Sequence, residues 1–241
     1  CYRRRLDDSR GGASEAVVVY KRQAERSAQR WVAKIQKERI KPNREQLAYL
    51  YEIRDPCQTE AAELKELATL TKSKKTLYSS EPYRKGLLGL PGSGKSECLR
   101  WTRRFFEEVL GWTDGVQFQM LAPQHTMALL VGGRTVHSWG AVPITATALQ
   151  DTKGKNGSSD VHELFERCQS LRWLVIDEIE ALAVVVFGIL HGNLCRAMSR
   201  TTYAKRKDGS QRPFGGLNLI LSGDWWQLPP VKKVGFYSDP F

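Results

Sequence analysis

The chain has 241 residues, 41% of them hydrophobic and 26% charged, with a formal net charge of +11. This apolar content suffices for one large α/β domain, or a domain with an appendage, and the positive balance suits a polyanionic partner, nucleic acid first. No run approaches the roughly 18 consecutive apolar residues of a membrane span, and the five scattered cysteines (1, 57, 98, 168 and 195) form no zinc-spaced cluster, which fits free thiols in a reducing compartment.

The positive charge is uneven. Residues 1–45 hold 13 Lys and Arg against 6 Asp and Glu, and the remainder holds 24 against 20. Residues 1–26 read as an irregular basic leader that either meets nucleic acid or is simply solvated. The leader begins with Cys and lacks the apolar core of a secretory signal. We therefore expect a piece of a longer gene product, nuclear or mitochondrial in a eukaryote, cytoplasmic otherwise, and not secreted. Ala28, Trp31, Val32 and Ile35 recur at helical spacing, which predicts a short basic helix over 27–40, closed by Pro42. A second helix is expected from Asn43 to Ile53. Asp55-Pro56 is suited to start a third, running to about residue 71, and residues 73–86 read as a loop.

An α/β rhythm follows. Residues 86–90 are a predicted strand, and 96–110 a helix burying Cys98, Leu99, Phe105, Phe106, Val109 and Leu110. Further strands are predicted at 116–121, 174–177 and 217–221, with a polar, Gly-rich loop at 150–160 and a basic segment at 203–216. Short apolar runs separated by helices predict a parallel sheet buried on both faces.

Three motifs sit at the ends of these strands. Residues 89–96, GLPGSGKS, match G-x-x-x-x-G-K-[ST] between a predicted strand and a predicted helix. Gly89, Gly92 and Gly94 permit a backbone that curls around an anion, with Pro91 and Ser93 in the same loop. The following helix N-terminus adds positive potential. Lys95 is suited to the β- and γ-phosphates and the Ser96 hydroxyl to Mg²⁺. The second motif is Asp177-Glu178, directly after LVI. Asp177 is the expected metal anchor and Glu178 the group that polarises a water, the alternative being a helix cap. Glu180 is expected to be solvated and receives no role. The third is GDWWQLPPV, where Asp224 and Gln227 can reach a γ-phosphate. Trp225 and Trp226 either pack the strand end or offer a stacking face to a base, with packing expected of at least one. Pro229 and Pro230 stiffen the exit.

Together, GLPGSGKSE, LAPQHTMALLVGGRTVHSWG, WLVIDEIEAL and RPFGGLNLILSGDWWQLPPV resemble the petite-integration-frequency type of superfamily-one DNA helicase. The resemblance covers about residues 43–240, in the order of helicase motifs one, one-a, two and three. It implies a RecA-like P-loop NTPase domain over 43–241 with a parallel central sheet flanked by helices. Residues 1–42 precede it as a basic, partly helical leader. It also implies 5′-to-3′ movement driven by ATP and Mg²⁺, with single-stranded or forked DNA as partner. Roles in DNA repair, recombination and telomere maintenance follow from the same likeness. Lys95, Asp177, Glu178 and Gln227 would be catalytic, and Gly94, Lys95 and Ser96 would hold the phosphates and magnesium. Gln46 matches the family's adenine-recognising glutamine, although the spacing to Gly89 requires an insertion. The other reading of Gln46 is a capping box with Asn43. Pro123, Thr135, His137 and Ser138 match DNA-backbone contacts, while His137 equally suits a hydrogen-bonded structural role. Lys205, Arg206, Lys207 and Arg212 either line a strand-binding groove or form a solvated loop.

The sequence departs from the family at Glu180, where a small polar residue is usual, and at the two tryptophans. A second RecA-like domain with its arginine finger is expected in cis beyond the sequence, so slow hydrolysis is expected of this part alone. The competing readings are a helicase domain of a rolling-circle mobile element, a small-molecule kinase on the same fold, and a remnant that binds nucleotide or single-stranded DNA without unwinding.

Overall fold

The computed structural model describes residues 26–69, 81–143, 157–201, 203–206, 208–227, 230 and 234–236. The leader before residue 26, most of the Gly-rich loop, Lys207 and Pro229 lie outside these. The chain divides into two compact units, Cys1–Lys75 with Arg100–Trp112, and Thr76–Leu99 with Thr113–Phe241.

The first unit is helical. Helix α1 spans residues 26–35 and buries Ala28, Trp31, Val32 and Ile35, the face its apolar spacing predicts. Helix α2 runs without a break over Arg44–Thr69 with Pro56 inside it. The expected division at Asp55-Pro56 does not occur. Tyr49, Leu50, Ile53, Cys57 and Ala61 are buried at spacings of three and four across the proline. That continuous stripe outweighs the one backbone hydrogen bond a proline forfeits. Asn43 and Gln46 close a capping box, Gln46 N donating to Asn43 Oδ1 and Asn43 N to Gln46 Oε1, each at 2.9 Å. Residues 100–108, the second part of helix α3 (Lys95–Glu108), complete this unit. There Phe105 meets Trp31 edge-on at 5.5 Å, and Arg104 forks onto Glu38 at 2.8 Å.

The second unit is a five-stranded, all-parallel sheet in the order β1-β5-β4-β2-β3. Its strands are β1 (Arg84–Leu88), β2 (Phe118–Ala122), β3 (Arg134–Thr135), β4 (Trp173–Ile176) and β5 (Asn218–Gly223). β2 and β4 are buried at every residue and β5 at all but one, as expected for strands covered on both faces. β1 lies at one edge and alternates between exposed and half-buried residues. The short helices α4 (His125–Leu130) and α5 (Val136–Trp139) pack near β2 and β3. Helices α6 (Gly157–Cys168) and α7 (Val184–Ala197) pack on each other. The short α4, α5 and the two-residue strand β3 carry too few residues to show a period and were not anticipated, nor were α6 and α7 placed; residues 157–160, expected in the Gly-rich loop, instead open α6.

Within the basic segment at 203–216, Lys205 bridges to Gln211 and Arg206 N–H donates to Ser210 O. Arg206 is paired with Glu81 through two hydrogen bonds, at 2.7 and 3.1 Å, and Arg212 is buried.

Candidate active site at the strand ends

Parallel pairing carries the three motifs to one edge. Leu88 of β1 pairs with Gly223 of β5, and Ile176 of β4 pairs with Leu221. The phosphate-type loop leaving β1, the GDWWQ turn leaving β5 and the acidic pair leaving β4 therefore emerge side by side, at the carboxyl ends where α/β sheets bind ligands. Gly89 N–H donates to Gly223 O at 3.4 Å, which ties the first residue of the loop to the neighbouring strand end.

The loop has the backbone its sequence demands. Gly92 and Gly94 adopt φ of 76° and 85°, and a Cβ at Gly89 would stand 2.7 Å from Ser93 Oγ. α3 begins at Lys95, and Cys98 N–H donates back to Gly94 O. The amides of the helix's first turn before Cys98 have no partner within the helix. Lys95 Nζ donates to Gly89 O at 2.6 Å and Leu90 O at 3.1 Å, and it lies 3.8 Å from Asp224 Oδ2.

Asp177 is buried and accepts from the Glu178 amide at 3.0 Å. Burial pushes its carboxyl above the ordinary value, against the opposing pull of the Ser222 hydroxyl and the Glu178 amide. Glu178 is half-buried and has left-handed backbone, φ 54° and ψ 46°. A side chain in that conformation costs about 1–2 kcal/mol, a strain typical of functional positions. Burial first, then the hydrogen bond and charge of Glu180 and the charge of Asp177, lift the Glu178 carboxyl to about 7.

Glu180 corrects the sequence-based expectation. It is buried, with 1% of its surface exposed, and its Oε2 accepts from the Asp224 amide at 3.1 Å. The 3-10 turn Ile179–Ala181 directs this side chain inward beneath the next strand end. The sequence signal was its departure from the small residue usual there, which read as exposure because nothing in the linear pattern shows the adjoining Gly223.

Asp224 is 1% exposed. Its Oδ1 accepts from Trp226 N at 2.9 Å and its carbonyl from Gln227 N at 3.1 Å, which closes the turn after β5. Turned so that its nitrogen meets acceptors, the Gln227 amide donates to Glu180 Oε1 and Glu178 Oε2, both at 3.2 Å. In the opposite orientation the nitrogen lies 3.4 Å from Asp224 Oδ2, and the two shorter contacts decide for the first. Trp225 is 38% exposed and Trp226 83%, so neither provides the buried plug expected of at least one.

The remaining candidates lie elsewhere. Pro123 follows β2 and Thr135 ends β3, on the same strand-end side of the sheet. Thr135 Oγ1 caps α5 by accepting from Ser138 N at 3.2 Å, and His137 Nδ1 bonds Val142 O at 3.1 Å. Gln46 belongs to the helical unit, where its side chain serves the capping box.

The donors available to a cation are hard oxygens, the Ser96 hydroxyl and the Asp177 carboxylate, a set suited to magnesium. Among the described residues no group of three or more His, Cys, Asp or Glu is arranged to hold a metal alone. No helix among the described residues is long and apolar enough to cross a membrane.

The PIF1-like helicase family model matches residues 115–239. The chain is 30% identical over 145 residues to the ATP-dependent DNA helicase RRM3 of Saccharomyces cerevisiae, a match covering 60% of this chain and 18% of that protein. It is 31% identical over 149 residues to the ATP-dependent DNA helicase Pif1 of Bdellovibrio bacteriovorus, covering 62% and 30%. Among solved structures it is similar to the Pif1 helicase from Bacteroides in complex with ADP-AlF3 and ssDNA. That likeness has 26% identity and a TM-score of 0.46, and covers 72% of this chain and 33% of the other. The chain thus spans less than a third of the length of either curated relative. With more than half of its residues inside the family model, this chain belongs to the PIF1-like helicase family.

Proposed function

We propose that this chain is the ATP-binding part of a DNA helicase that couples ATP hydrolysis to 5′-to-3′ movement and unwinding of DNA. The convergence of loop, acid pair and sensor turn on the adjacent ends of β1, β5 and β4 carries this reading. A lone phosphate loop is shared by many NTPases; the acids and Gln227 gathered beside it suit hydrolysis.

In this reading Gly89, Pro91, Gly92, Ser93 and Gly94 wrap the phosphates, and Lys95 exchanges its carbonyl partners for the terminal phosphates. Ser96 and Asp177 hold Mg²⁺, which when bound neutralises charge on the phosphate oxygens. Glu178 receives a proton from the attacking water, a task that its raised affinity for protons near neutral pH supports. Gln227 orients that water or the γ-phosphate. Asp224 holds Lys95 and the turn. Gln46 remains the candidate for adenine, and Pro123, Thr135, His137 and Ser138 for the backbone of single-stranded or forked DNA. A second RecA-like domain in cis would supply the arginine finger.

Calorimetry with the parent protein and Lys95→Ala tests this. We expect magnesium-dependent ATP uptake that the variant loses, and ATP turnover by the full-length protein that rises with single-stranded DNA. Binding without any DNA stimulation would favour a nucleotide-binding remnant, and absence of magnesium-dependent binding by folded parent protein would overturn the assignment.

A further inference from the structure

Glu180 is the residue at this site for which neither motif reading nor phosphate chemistry provides a task. It is buried, yet it is an acid lying among acids. Its two oxygens engage the two ends of one turn, Oε2 accepting from the Asp224 amide at 3.1 Å and Oε1 from the Gln227 side chain at 3.2 Å. The turn between these anchors holds Trp225 and Trp226, both exposed, so Glu180 is a fixed point beneath an otherwise open segment.

A second observation shows that the neighbouring strand accommodates this carboxylate. A Cβ at Gly223 would stand 2.5 Å from Glu180 Oε2 and 2.6 Å from Ile179 Cγ2, both too close for any real side chain. Ile179 is itself buried, so little can give way. Gly223 also accepts from Gly89 N–H, which places the first residue of the phosphate-type loop one residue from the Glu180 contact. Asp224, held by Glu180 through its amide, pairs in turn with Lys95. The contacts therefore run from Lys95 through Asp224 and Glu180 to Gln227 and Glu178.

We propose that Glu180 is a positioning residue for ATP hydrolysis: its carboxylate locks the Asp224–Gln227 turn to the acid-bearing strand and so aims the Gln227 amide beside Glu178. It touches no reacting atom and acts through the turn. A misplacement of a supporting group by about an ångström can cost up to about 100-fold in rate, and such a loss falls on turnover more than on nucleotide affinity. This inference rests on the ATPase reading above.

The test is steady-state ATP turnover and magnesium-dependent nucleotide affinity of the full-length protein, with single-stranded DNA present, for the parent, Glu180→Ala, Glu180→Gln, Gln227→Ala and the Glu180→Ala/Gln227→Ala double variant. Glu180→Ala should lower kcat by about 10- to 100-fold with KM and Kd nearly unchanged. Glu180→Gln, which retains an acceptor for the Asp224 amide, should recover much of that loss. The double variant should be no slower than the worse single variant, because both changes disable one device. Parental rates in Glu180→Ala, or losses that multiply in the double variant, overturn the proposal while leaving the ATPase reading intact. A parent that binds or turns over no ATP ends that reading, and this one with it. If Glu180→Ala fails to fold, Glu180→Leu, which keeps volume without an acceptor, takes its place. A reduced kcat at unchanged Kd in that variant supports positioning, whereas parental kcat marks Glu180 as structural only and overturns the proposal.

Discussion

Lys95 Nζ lies 3.8 Å from Asp224 Oδ2, a contact between the phosphate-type loop and the turn of the neighbouring strand, with the lysine side chain 12% and the aspartate 1% exposed. Asp224 thus has a positive charge near it that also serves the loop. Lys95→Ala should abolish magnesium-dependent ATP binding and destabilise the protein by about 1–3 kcal/mol, since a buried carboxylate loses its counter-charge. Adding Asp224→Asn should restore most of the stability and none of the binding. Thermal melts and calorimetry on the two single variants and the double variant check both parts; additive losses of stability would show that the two residues are not coupled.

Glu178 predicts a pH dependence. Its carboxyl is lifted from an ordinary 4.5 to about 7. An acid whose folded value exceeds its unfolded value favours the fold fully below the unfolded value, and that contribution is lost as pH climbs through the folded value. Between about pH 4.5 and 7 the melting temperature of nucleotide-free parent should therefore fall relative to Glu178→Gln, whose amide stays neutral. Scanning fluorimetry of both proteins across that range reads the difference, and parallel curves would show that Glu178 titrates as an ordinary exposed glutamate. Glu178→Gln should bind ATP and not hydrolyse it.

Gln46 has one observed role and another proposed. Its side chain closes the capping box by accepting from Asn43 N, so Gln46→Ala is a destabilising change of about 0.5–1.5 kcal/mol. Gln46→Glu preserves the box pattern. If Gln46 also reads adenine, both variants should lose preference for ATP over GTP, although only the first loses stability. Competition binding with the two nucleotides separates the roles.

Trp226, at 83% exposure, has its ring open to a base. Trp226→Ala should weaken single-stranded DNA binding by about 1–3 kcal/mol with no loss of thermal stability. Trp225→Ala should do less to binding, because Trp225 has more of its surface covered. Fluorescence anisotropy with a labelled oligonucleotide measures this, and an unchanged affinity in Trp226→Ala would remove the ring from the DNA path.

Much of this architecture was legible in the residues. The glycine spacing of 89–96 demanded positive φ, and the apolar runs before Asp177 and Asp224 demanded buried parallel strands; both demands are local and both are met. The adjacency of β5 to β1 and β4 is not local, since Leu219 pairs with Arg84 and Asn218 with Trp173, and only the chemistry of the motifs, a phosphate loop in need of acids and an amide, suggested it. Three features escaped for a shared reason. Pro56 reads as a helix start until the buried stripe on either side is seen, Glu180 reads as solvated until Gly223 is beside it, and the tryptophan pair reads as partly packed until both rings prove exposed. In each case the deciding neighbour is distant in sequence or absent from the pattern.

The Gly223–Glu180 contact also bears on how this site can change by mutation. A β-carbon at 223 and a carboxylate at 180 exclude each other, so an acid can enter at 180 only in a background that already carries glycine at 223. Once the acid is present, the glycine can no longer drift. A small residue at 180 would not by itself free position 223, because Ile179 Cγ2 would still stand 2.6 Å from a β-carbon there.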